Sequence, residues 1–120
     1  MANQPVKGIK RILNACWFSF LGFKATWKHE EAFRQELILF VIALPLALMF
    51  GKSHTETLLL IGCLVLVLIV ELLNSAVETV VDRVGLEHHE LAGRAKDIGS
   101  AAVMLALVWS AVTWIVILLN

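Results

Sequence analysis

Three long apolar stretches dominate the chain, at 37–50, 58–81 and 98–119, and most charged residues gather outside them. The third carries no charge and is long enough to cross a bilayer, which takes roughly 20 apolar residues in a helix. The first reaches that length when its helix is extended back through 31–36. Pro45 falls inside it, and membrane helices tolerate such a residue better than soluble ones do. Ahead of the first stretch, Ile9, Ile12, Leu13, Cys16, Phe20, Phe23 and Trp27 recur at steps of three and four, which marks one helical face. Lys7, Lys10, Arg11 and Lys28 tend toward the other side. A basic amphipathic helix with bulky aromatics lies in the membrane interface, and Pro5 suits its first turn. The pattern predicts a single-domain, all-α membrane protein: an interfacial helix over about 5–28, spans at 30–50, 57–83 and 97–119, and a polar loop at 84–96. Gly85 is expected to end the second span, and Gly99 to permit close helix approach.

Composition agrees. The 120 residues are 59% hydrophobic with mean hydropathy +0.82, too apolar for a water-soluble domain of this size. No cleaved signal is expected, because the first apolar run follows a long basic segment and no small-residue cleavage site comes after it. Cys16 and Cys63 have neither metal-ligand nor disulfide-framework spacing and are read as small apolar side chains. The net charge of zero hides an uneven distribution. Lys7, Lys10, Arg11, Lys24, Lys28 and Arg34 precede the first stretch, and Lys52 alone lies between the first and second. Arg83, Arg94 and Lys96 lie between the second and third. Cytoplasmic loops carry the excess of Lys and Arg, so the N-terminus and the 84–96 loop are expected in the cytoplasm, with the 51–56 turn and Asn120 on the far side.

The second stretch is interrupted by Glu71, Asn74 and Glu78. A carboxylate at membrane depth costs roughly 3 kcal/mol, so such residues read as functional by default. At about 100° per residue, Glu71, Asn74, Glu78 and Asp82 fall within roughly 40° of a common direction. Two glutamates so placed can share a divalent ion, serve as acid and base, relay protons, or form a neutral hydrogen-bonded pair across helices. Glu30 and Glu31 enter the first span near the same membrane face as Glu78 and Asp82. Oxygen donors gathered at that depth suit Mg²⁺, which favours a few carboxylates plus phosphate oxygens. Arg94, Lys96, Asp97 and the run Glu87, His88, His89, Glu90 supply cations and acceptors beside it. No soluble-kinase or dinucleotide motif is present. Three helices offer little surface to bury the whole stripe, so it is expected to face another subunit in a homo-oligomer with shared sites.

The segments ELLNSAVE at 71–78 continuing to Asp82 and Arg83, ELAGRAKD at 90–97, and EAFRQE at 31–36 resemble the prokaryotic integral-membrane diacylglycerol kinase family, of the Gram-negative type. The resemblance covers about 11–119. It implies a homotrimeric bundle in the bacterial inner membrane that uses Mg²⁺ and ATP to phosphorylate diacylglycerol to phosphatidic acid, with no nucleic-acid partner. By the same resemblance, Glu71 is the base that takes the lipid hydroxyl proton and Asn74 its polar partner. Glu30 and Glu78 are the metal ligands. Arg11, Phe18, Glu30, Glu78, Glu87, His88, His89, Lys96 and Asp97 match nucleotide-contacting positions. Arg11, Ser19, Trp27, Arg34, Gln35, Glu71, Ser100 and Trp114 match positions lining the lipid site. Two residues depart from the family pattern. Phe18 stands where well-known members have Tyr, which removes a hydroxyl but keeps the ring, and Glu31 stands where they have a small apolar residue. The rival activities are an undecaprenol kinase and a small proton-coupled transporter. The transporter leaves Glu30, Lys96 and Asp97 without a role, and a non-catalytic assembly subunit leaves the membrane carboxylates without one.

Overall fold

The computed structural model describes residues 7–120, and Pro5 lies outside them. Four helices form the described residues: α1 (Ile9–His29), α2 (Glu31–Phe50), α3 (His54–Val84) and α4 (Glu90–Leu119). The last three are each long and apolar enough to cross a membrane, so the chain is an all-α membrane protein. Helix α1 buries none of its residues. Its Ile9, Ile12, Leu13, Phe20 and Phe23 stay exposed, as a face destined for the acyl boundary must.

The break between α1 and α2 is a single extended residue, Glu30, at φ −118° and ψ 107°. Its N–H still donates to the Thr26 carbonyl at 2.9 Å. Arg34 reaches back across the break, where its Nη1 donates to the carbonyls of Trp27 at 2.7 Å and Lys28 at 3.2 Å. Those are last-turn acceptors that a helix end otherwise leaves open.

At the opposite end the chain reverses through Gly51. A Cβ there would come within 2.9 Å of both N and Cα of Thr57, so the tight turn depends on the missing side chain. Ser53 Oγ then accepts from the Glu56 N–H at 3.2 Å, and Glu56 Oε1 accepts from the Lys52 N–H at 2.9 Å. This reciprocal arrangement is close to a capping box, and it starts α3 at His54 rather than near 57. The difference at the other loop is larger. His89 Nδ1 accepts from the Leu91 N–H at 3.0 Å and caps α4. Helix α4 therefore starts at Glu90, and Arg94 and Lys96 ride on its first two turns instead of lying in a loop. Gly85 ends α3 as expected, its N–H donating to the Val81 carbonyl.

Helix α3 lies between α2 and α4 and packs most extensively on α4. Its buried residues are Leu60, Cys63, Leu64, Val67, Glu71, Asn74 and Ser75, one stripe at steps of three and four. Against it α2 sets Ala43 and Ala47, and α4 sets Ala106, Ser110, Thr113 and Ile117. Small residues let membrane helices approach closely, where dispersion and internal hydrogen bonds replace the hydrophobic drive. Trp114 packs against both apolar clusters, Ala43 with Cys63 and Leu64, and Ala47 with Leu60 and Ile117. Its Nε1 donates to the Leu60 carbonyl at 3.2 Å, while Ser110 Oγ donates to Cys63 Sγ at 3.4 Å. Lys52 Nζ donates to the Asn120 carbonyl at the same end.

The upper part of the α3 stripe is where the expectation changes. Glu71 and Asn74 are 4% and 9% exposed within a single chain. They do not wait for another subunit to cover them, because the stripe that holds the apolar core continues straight into them.

Candidate functional site

Glu71 lies on the buried face of α3, one turn beyond Val67. One turn further, Asn74 Nδ2 donates to Glu78 Oε1 at 3.3 Å. The Asn74 carboxamide oxygen has no hydrogen-bond partner and lies against the backbone of Gly99 on α4. Ser75 Oγ is also buried without a partner. It helps line a cavity of about 780 Å³ between α1 and α3, together with Ser19, Phe23, Thr26, Glu30 and Thr79. The sequence motifs are thus brought to one end of the bundle, where α1 meets α2 and α3 meets α4.

Several carboxylates at that end act on one another. Burial pushes the Glu30 carboxyl above its ordinary range; the charge of Glu78 and, more weakly, that of Asp82 add to the rise, and His29 opposes it. Glu71 feels the charges of both Glu78 and Glu30. Glu36, one and a half turns into α2, feels Glu71 and has a buried Oε2 with no partner. Sequence reasoning used Glu36 only as part of a motif and missed it as a site residue. The available signal was its place at the mouth of the first apolar stretch, just before Leu37. Glu36 also lines a second cavity of about 350 Å³, which runs past Leu39, Ala43 and Ser110 to Trp114. One cation answers the acidic cluster directly: Lys96 Nζ lies 2.9 Å from Asp82 Oδ1.

The other expected site residues are spread more widely. Arg11 lines a hollow on α1 with Ile12, Cys16, Ser19 and Phe20. Phe18 and Trp27 are exposed on α1. Gln35 Nε2 donates to Glu31 Oε1 at 3.5 Å. Glu87, His88, Asp97 and Ser100 are exposed, while His89 serves as the cap of α4. Arg34 is committed to the α1 carbonyls. Trp114 is bonded at the level of Leu60, eleven residues and roughly 16 Å along α3 from Glu71 at 1.5 Å per residue.

Among the described residues no group of three or more His, Cys, Asp or Glu side chains is arranged to hold a metal ion. The candidate oxygens near Glu30 are its own carboxylate and that of Glu78, whose charge adds to the effect of burial in raising the Glu30 carboxyl. All-oxygen donors, too few to enclose an ion, fit Mg²⁺, which keeps water and phosphate oxygens in its shell.

Comparison with known proteins places the chain in a family. The family model described as prokaryotic diacylglycerol kinase matches residues 17–118. The diacylglycerol kinase of Pseudomonas aeruginosa is 50% identical over the full length of both chains. That of Escherichia coli K12 is 47% identical over 98% of this chain and 96% of its own. The diacylglycerol kinase of Helicobacter pylori strain 26695 is 42% identical over 90% of this chain and 84% of its own. The chain belongs to the prokaryotic diacylglycerol kinase family.

Proposed function

We propose that this member of the family transfers the γ-phosphoryl group of ATP to the primary hydroxyl of diacylglycerol, yielding phosphatidic acid and ADP. The observation that carries the reading is Glu71, a carboxyl 4% exposed at membrane depth with the Asn74–Glu78 pair one turn away. The lipid hydroxyl lies at the interface, which is where a membrane-embedded base can reach it. Glu71 accepts the hydroxyl proton as the oxygen attacks the γ-phosphorus. The bond from that phosphorus to the β–γ bridging oxygen breaks, and the electron pair leaves with ADP. Phosphoryl transfer asks mainly for in-line positioning and charge neutralisation, with little covalent work from the protein.

Glu30 and Glu78 would hold Mg²⁺, which when bound neutralises charge on the phosphates. Asn74 orients Glu78 through its amide hydrogen bond. Lys96, on the first turns of α4, exchanges its Asp82 partner for a phosphate oxygen. The cavity between α1 and α3 admits the reacting headgroup past Ser19 and Thr26. The family resemblance supports assembly as a homotrimer in which neighbouring chains complete the sites. The excess of Lys and Arg before α2 and between α3 and α4 supports placing this end, and the N-terminus, in the cytoplasm.

The test is ATP-dependent phosphorylation of diacylglycerol and of undecaprenol in parallel mixed micelles, with Mg²⁺ present and then chelated. Mg²⁺-dependent phosphatidic acid is the expected product. Labelled undecaprenol alone would keep the mechanism and change the substrate. No labelled lipid from well-folded protein would defeat the kinase reading and leave proton transport through the membrane carboxylates as the activity to test.

A further inference from the structure

We infer that Gly99 is a positioning residue for the Asn74–Glu78 pair, a role that deepens and rests on the kinase reading of that site. A Cβ built on Gly99 would overlap Asn74 Oδ1 and come within 3.1 Å of its Cγ. Asn74 is nine-tenths buried and borders a hollow of the α3–α4 seam, so the carboxamide yields to a Cβ at 99 by turning out of its present rotamer. The Gly99 Cα–H that replaces this Cβ points at Oδ1, the arrangement of a weak Cα–H···O contact. Among the described residues that oxygen has no hydrogen-bond partner.

This contact settles which way the amide faces. With Oδ1 on Gly99, Nδ2 is directed at Glu78 Oε1, 3.3 Å away. The flipped amide would set a carbonyl oxygen against the Glu78 carboxylate and an NH₂ group against the Gly99 Cα–H, unfavourable on both sides. Ala95 and Ala102 flank the same hollow of the α3–α4 seam, and within it the close approach is that of the Gly99 backbone to Asn74 Oδ1. A methyl at 99 therefore drives the carboxamide away from its present rotamer, and Glu78 loses the donor that aims it.

The test compares Gly99→Ala in the wild-type and Asn74→Ala backgrounds. Its readouts are lipid phosphorylation, thermal midpoint and the side-chain amide ¹⁵N–¹H resonances of the micelle-bound protein. Gly99→Ala is expected to displace the Asn74 resonance pair and to lower kcat at least tenfold, with KM for the lipid within twofold. In the Asn74→Ala background the same methyl should change neither thermal midpoint nor residual rate appreciably, because no carboxamide is left to displace. An unmoved Asn74 resonance, a full rate, or an equal loss of stability in both backgrounds would overturn the inference. If Gly99→Ala alone fails to fold, the double variant should fold; a double variant that also fails overturns it. Should the wild type phosphorylate no lipid, the kinase reading falls, while the Asn74 resonance still decides whether Gly99 positions it.

Discussion

Lys96 Nζ lies 2.9 Å from Asp82 Oδ1, an ion pair that ties the first turns of α4 to the last turns of α3. Both side chains are about half exposed, so the pair contributes little to stability. On the proposed reading, its larger consequence is that Lys96 is held beside the acidic stripe by a bond that a phosphate oxygen would displace. Lys96→Met is expected to lower kcat/KM for ATP more than tenfold. Asp82→Asn, which frees Lys96, should change it no more than about fivefold, in keeping with the small worth of the pair. Steady-state kinetics at varied ATP checks both, and an equal loss in the two variants would show that the pair itself, rather than Lys96, is required.

Glu71→Gln keeps the shape of the side chain and removes its capacity to accept a proton. General-base catalysis contributes about 10²–10⁴ in rate, and turnover should fall by that order while the oligomer elutes unchanged in size-exclusion chromatography. Retention of full turnover would move the base to the neighbouring carboxyl, Glu36.

The Glu30 carboxyl titrates above the ordinary carboxylate range because of burial and the Glu78 charge. A raised folded-state pKa favours the folded protein when Glu30 is protonated, and that contribution is lost as pH rises through the raised value. If Glu30 holds Mg²⁺ as proposed, the bound ion would offset this loss. The thermal midpoint should therefore rise with Mg²⁺ more at neutral pH than in mild acid, and Glu30→Gln should abolish the difference. Thermal unfolding in micelles with Mg²⁺ or chelator measures it, and an identical Mg²⁺ shift at both pH values would remove Glu30 from the metal site.

Arg34 holds the end of α1 through two hydrogen bonds to backbone carbonyls. Each such bond from a charged group is worth about 1.5–3 kcal/mol at most when well shielded, and less where it is exposed. Arg34→Ala should lower stability by roughly 1–2 kcal/mol and speed hydrogen exchange of the last turn of α1. Arg34→Lys, a single donor in place of a planar fork, should fall between the two. Unchanged exchange at Trp27 and Lys28 would show that α1 is held by its lipid-facing side alone.

Much of this arrangement is legible from sequence because it is periodic. The step of three and four from Ile9 to Trp27 marks α1, and the three apolar stretches mark the spans. The placement of Glu71, Asn74 and Glu78 on one face follows from helical geometry. The boundaries are less legible where a single side chain sets them. His89 could not be read as a helix cap because adjacent histidines in a polar segment look like loop, and its Nδ1 bond to Leu91 alone moves the start of α4 to Glu90. Glu36 escaped notice because its helix-mates Leu37 and Leu39 carry the apolar signal, while its relation to Glu71 crosses between helices.

The order of elements, their membrane character and the acidic face of α3 were determined by the chain itself, since hydropathy and helical period are local properties. Tertiary structure decided which way that face points. Depth along a helix says that a glutamate is costly, but only the packing of α2 and α4 on α3 shows that Glu71 and Asn74 are covered within one chain. It also decided the partners: Lys96 with Asp82, Asn74 against Gly99, Arg34 with the end of α1. Each of these joins residues on different helices or across a break, and their separation depends on helix register and approach, which no single helix's sequence contains.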